Sequence, residues 1–149
     1  CPFVVLLKAS LAAVSAEYQG KGIGVVAISS NSVATHPQDG PAAMADDAKS
    51  QQYPFPYLYD ESQDIAKAYK AACTPEFYLF DADDKLFYCG QWDASRPGGK
   101  YGGKGEPSGD SIKGAMDALL AGKTEAPTAL KSIGCNIKWT PGNEPEYFG

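Results

Sequence analysis

The chain has 149 residues, 44% of them hydrophobic and 21% charged, with a formal net charge of -5. That length carries one domain with a real core, and the composition excludes disordered and fibrous chains. An acidic balance, lysines without a basic run and a single arginine, Arg96, argue against a nucleic-acid partner, and no apolar stretch nears the roughly 18 residues of a membrane span.

Residues 3–18 carry Val4, Val5, Leu7, Leu11, Ala12 and Val14 close to helical spacing and stop before Gly20-Lys21-Gly22, which predicts a helix. Residues 24–30 form a short, β-branched, nearly continuous apolar run, the pattern of a strand covered on both faces. Residues 31–41 read as loop, and 42–52 as a polar helix opened by Pro41. A short strand is expected within 55–60 and a helix over 62–69. Then comes Cys73-Thr74-Pro75, where helix gives way to strand; a proline opening a strand after a polar residue suits a cis peptide. Residues 77–80 and 86–88 flank the acidic turn 82–85 as a hairpin, and 93–109 is a Gly-rich loop. Ile112, Ala115, Met116, Leu119 and Leu120 share one face of a helix over 110–120, stopped by Gly122. The tail 123–149 is rich in Pro and Gly yet holds Ile133, Cys135, Ile137, Trp139, Tyr147 and Phe148, so it is expected to pack on a domain formed by residues 1–122. This element order predicts an α/β fold, a mixed central sheet with helices on both faces.

The chemistry-bearing residues are the four cysteines, Cys1, Cys73, Cys89 and Cys135. Their wide spacing in a chain with ample apolar content is not that of a disulfide-stapled secreted domain, and a single histidine, His36, makes a zinc site unlike them. Thiol redox chemistry remains, against the alternative of four inert buried thiols. Cys1 heads a helix, where unpaired backbone N–H groups and the helix dipole favour a thiolate. Cys73, two residues before Pro75, is read either as a thiol facing the same mouth as Cys1 or as inert. Cys135 is read as resolving or structural, with structure favoured, and Cys89 as a core residue sharing a strand face with Phe87. His36 and the loop carboxylates carry no catalytic assignment.

Several ordered motifs extend this reading: Cys1-Pro2-Phe3-Val4, Ala27-Ile28-Ser29-Ser30-Asn31, the stretch Tyr53 to Gln63, Ala72-Cys73-Thr74-Pro75-Glu76-Phe77, Asp93-Ala94-Ser95-Arg96-Pro97-Gly98 and Ile133-Gly134-Cys135 through Trp139. On them the chain resembles the thioredoxin-like redoxins of the alkyl hydroperoxide reductase and thiol-specific antioxidant superfamily, and most of all a bacterial branch described as thiol-disulfide isomerase or thioredoxin-like. The resemblance implies a thioredoxin-like fold whose first strand would precede Cys1. It also implies a Cys-x-x-Cys site in which Cys1 is the second, resolving cysteine. Thr74 and Pro75 would then bind a substrate chain along the Thr74 backbone. From its place beside Thr74-Pro75, rather than from the resemblance, Cys73 is read as a second catalytic thiol able to form a disulfide with Cys1 or relay oxidation to the tail. Arg96 and Cys135 are candidate accessories, with pairing to Asp93 the simpler account of Arg96. The implied activity is thiol:disulfide exchange on a protein or small-molecule disulfide. Electrons would come from a donor thiol protein, with no metal, organic cofactor, nucleic acid or membrane involved. The alternatives are a non-catalytic peptide-binding module and a thiol peroxidase, in which Arg96 would steady the thiolate and the peroxide.

Overall fold

The computed structural model describes residues 1–148, whose α-helices and β-strands are α1 (Pro2–Gln19), β1 (Ala27–Ser29), α2 (Pro41–Ser50), β2 (Tyr57–Tyr59), α3 (Asp64–Ala68), β3 (Cys73–Thr74), β4 (Phe77–Phe80), β5 (Leu86–Gly90), α4 (Asp110–Leu120) and β6 (Cys135–Asn136). The chain divides into two compact units, Cys1–Ile23 with Cys73–Cys135, and Gly24–Ala72 with Asn136–Gly149. Among the described residues, no helix is long and apolar enough to cross a membrane.

In the first unit, Pro2 opens α1, where its missing N–H removes a group that would have had no helical partner, and Cys1 is the N-cap. Phe3, Leu7, Val14 and Tyr18 are buried along the helix. Tyr18, 1% exposed, donates its hydroxyl to Asp117 Oδ1 at 2.7 Å, satisfying the one polar atom it buries. The antiparallel β4–β5 hairpin pairs Phe77 with Gly90, Tyr78 with Cys89 and Leu79 with Tyr88, and its register shifts after Leu79. Asp81 Oδ1 closes the turn by accepting from the Asp83 and Lys85 amides, at 2.9 and 3.0 Å. Leu79, Tyr88, Trp92, Ile112, Ala115 and Met116 complete the core with Leu7, Val14 and Tyr18. Burial on β5 falls on Tyr88 and Gly90, so the Phe87–Cys89 face expected to be core is the half-buried one.

The second unit is built on a parallel pairing of β1 with β2, Ala27 opposite Tyr57, Ile28 opposite Leu58 and Ser29 opposite Tyr59. Ile28 and Leu58 are 38% and 48% exposed, so the two-faced burial expected of residues 24–30 is not found. Three residues pair, in a ladder of two strands. Ala66, Ile137 and Trp139 form a small apolar core. Beside it Gln63, 1% exposed, uses its whole amide: Nε2 donates to the Ser30 and Lys138 carbonyls at 2.7 and 3.0 Å, and Oε1 accepts from the Thr140 amide and Asn143 Nδ2 at 2.9 and 3.0 Å. A buried polar side chain is tolerable only when satisfied in this way, and Gln63 thereby ties residues 138–143 to this unit.

Candidate functional site

Cys1 is exposed at the N-terminus of α1, and the Val5 amide donates to its carbonyl at 3.0 Å, closing the first helical turn. Its Sγ lies 3.4 Å from the Thr74 carbonyl oxygen, to which the thiol donates. The Thr74–Pro75 peptide is cis. Residues 73 positions apart thus meet at one point: a helix-head sulfur and the backbone of β3. The same carbonyl is approached from another side by Gly134, where a Cβ would fall 1.9 Å from the oxygen and 2.6 Å from its carbon. Thr74 Oγ1 donates to the Cys135 carbonyl at 3.3 Å, so β3 lies beside the start of β6.

Below this point is a cavity of about 20 Å³, lined by Phe3, Pro75, Phe77, Trp92, Arg96 and Ile133 among others, and large enough for about one water. Phe77 and Trp92 pack with ring centroids 5.0 Å apart, and Trp92 Nε1 donates to Ser10 Oγ at 2.9 Å, which fixes the indole as a wall. Arg96 spends its guanidinium on its own loop, donating to Gln91 Oε1 at 3.1 Å and to the carbonyls of Asp93 and Ser95 at 3.3 and 2.6 Å. It meets Asp93 through the backbone, because the Asp93 carboxylate is already occupied by the amides of Ser95, Ser108 and Gly109. Burial alone would raise the Asp93 pKa; hydrogen bonds from Ser95 and from the Gly109 and Ser108 backbone outweigh it and hold the carboxyl below its usual value.

Cys73, in β3 next to Thr74, is half-buried, and burial pushes its thiol up to about 11, with smaller contributions from Glu76, Cys89 and Cys135. The Cys89 thiol is also raised, by burial first and then by Glu76. All four cysteines are free. Among the described residues, no group of three or more His, Cys, Asp or Glu side chains could hold a metal ion.

A helix-head cysteine thus lies against the residue before a cis-proline. The AhpC/TSA family profile matches residues 1–89. The chain belongs to the AhpC/TSA family. Two solved structures bear the family's fold out over nearly the whole chain. A hypothetical protein from Sinorhizobium meliloti 1021 is 46% identical, with a TM-score of 0.89 over 95% of this chain and 75% of that one. An uncharacterized conserved protein from Geobacillus kaustophilus is 48% identical, with a TM-score of 0.85 over 95% of this chain and 73% of that one. No curated protein matches. The fold of this AhpC/TSA member is thioredoxin-like, as expected.

Sequence reasoning named Cys1, Thr74 and Pro75, which the fold brings together, Cys73, whose thiol has Glu76, Cys89 and Cys135 around it, and Arg96, which lines the cavity with Pro75. It assigned no role to Gly134 or Trp92. The signal available for Gly134 was its place before Cys135 on a tail with apolar anchors.

Proposed function

We propose that the protein is a thiol:disulfide oxidoreductase acting through Cys1. The observation that carries the reading is the Cys1 sulfur, exposed at a helix N-terminus and 3.4 Å from the carbonyl of the residue before Pro75. The thiol, which rests donating to the Thr74 carbonyl, gives up its proton to solvent before it reacts. The thiolate attacks one sulfur of a disulfide, so a new S–S bond joins Cys1 to that sulfur, and the other sulfur departs with the electron pair as a thiolate. A thiolate of a dithiol donor protein then attacks the Cys1 sulfur, forming a Cys1–donor disulfide and releasing the substrate's remaining sulfur as a thiolate. The donor's second thiolate attacks the donor sulfur of that bond and releases Cys1 reduced, so two electrons pass from donor to substrate. Thr74 and Pro75 serve as the edge along which the substrate chain lies. Cys73 adjoins that edge, but with its thiol held protonated near neutral pH it is a slow second partner.

Disulfide reduction with a thiol donor tests this, and Cys1→Ser is expected to lower the rate about a hundredfold or more, with Cys73→Ser within about threefold of the parent. An unchanged rate in Cys1→Ser sinks the assignment. A second reading, thiol peroxidase, draws on Arg96 lining the cavity with Phe3 and Pro75. It ranks below because that guanidinium is committed to three acceptors. Peroxide consumption that depends on both Cys1 and Arg96 would reverse the order.

A further inference from the structure

The edge of β3 that would receive a substrate chain is already taken. Gly134 sits against the Thr74–Pro75 peptide so closely that a side chain there would overlap the Thr74 carbonyl, and Cys135 accepts from Thr74 Oγ1. The segment leading to this point is pinned by hydrogen bonds: the Gln91 amide donates to the Leu130 carbonyl at 2.9 Å, and Ser132 Oγ donates to the Gly90 carbonyl at 2.7 Å. Gly90 is itself needed for this path, since a Cβ there would lie 2.6 Å from the Leu130 oxygen. Burial contributes little, because Leu130 and Ile133 are 61% and 53% exposed. A strand held by a few hydrogen bonds and little apolar burial opens at low free-energy cost.

We propose that residues 130–135 are a displaceable strap, an internal pseudo-substrate on the Thr74 edge beside Cys1. The site takes extended polypeptide disulfides with glycine immediately before the cysteine. The inference deepens the reading of Thr74 as the substrate edge. The Thr74 carbonyl sets the glycine requirement: both Cys1 Sγ and Gly134 lie close against it, and backbone atoms cannot step aside as a flexible side chain would. The strap's own cysteine follows that glycine, where a substrate's reacting cysteine would lie. As a tethered segment it competes with free substrate at an effective concentration on the order of millimolar, so entry waits on its release.

The test is binding of a fluorescent synthetic peptide with the sequence of residues 130–137, its cysteine replaced by serine, measured by anisotropy. Gly134→Val puts a branched side chain against the Thr74 carbonyl and expels the strap. That variant is expected to bind the peptide about tenfold or more tightly than the parent protein, as the tethered competitor is lost. A peptide with valine at its glycine position should lose that gain. Should circular dichroism show Gly134→Val unfolded, Ser132→Ala decides. It removes the anchor to Gly90 without adding bulk and should shift binding the same way by a smaller factor. Equal binding by parent and variant, equal binding of the valine peptide, or no binding by any of them overturns the strap. The peptide carries no sulfur, so the result stands apart from whether Cys1 exchanges disulfides.

Discussion

Cys1 and Cys73, the residue before the Thr74 that Cys1 touches, sit in different surroundings. Cys1 is exposed at a helix head, while Cys73 is half-buried beside Glu76 and two further thiols. With the Cys73 thiol pushed up from 9.0 to about 11, its thiolate fraction at pH 8 falls about a hundredfold below that of an ordinary cysteine. Timed alkylation with iodoacetamide at pH 8, read by peptide mass spectrometry, should modify Cys1 first and Cys73 slower by about that factor. The same shift sets a sign for stability. Between pH 9 and 11 the unfolded chain loses the Cys73 proton while the folded chain keeps it, so this group's contribution to stability falls as pH rises through that window.

At the scale of elements, Asp93 organises the approach to α4. Its Oδ1 accepts from the Ser95 amide at 2.8 Å, and its Oδ2 from Ser108 and Gly109 at 2.7 and 2.8 Å, just where the chain turns into the helix. Gly109 adopts φ +72°, a left-handed conformation, and a Cβ there would press the Trp92 indole at 3.1 Å. Charge-assisted bonds to a buried carboxylate are strong, so Asp93→Asn should cost about 2–3 kcal/mol in urea denaturation at pH 7. The Asp93 pKa is lower folded than unfolded, so its contribution is present above the unfolded value of 3.8 and is lost as pH falls through the folded one. The gap between parent and variant should therefore shrink on acidification; a gap independent of pH would remove the carboxylate charge from the account.

Across the whole molecule, apolar burial is unevenly shared. The first unit's core gathers a cluster of nine buried residues, including Tyr18, Tyr88 and Trp92, whereas in the second the cluster is Ala66, Ile137 and Trp139 beside the polar hub of Gln63, with Met44 and Phe55 buried apart from it. Opening free energy follows buried apolar contact, so amides within Gly24–Ala72 should exchange hydrogen faster than those of α1, β5 and α4. Trp139→Ala should widen the difference, at a cost of about 3–5 kcal/mol for a buried aromatic removed. Uniform exchange over both units would contradict the unequal cores.

The helices α1 and α4 were legible because a 3.6-residue apolar period repeats over enough turns to be read locally: the helix expected over 110–120 has those bounds, and that over 3–18 gained one residue at each end. The β4–β5 hairpin was legible from its acidic turn, and Cys1, Thr74 and Pro75 from their motifs. β3 and β6 are two residues each, too short for any period, and the meeting of Thr74 with Cys135 joins positions 61 apart. The amino-acid order by itself determined which segments coil, which extend and which sulfur heads a helix, since those follow from neighbours in the chain. Only the tertiary structure decided which thiol is exposed, which carboxylate is saturated with amides, and that a glycine near the end of the chain rests on the carbonyl beside Cys1. Burial and close backbone approach arise between residues that no local pattern connects.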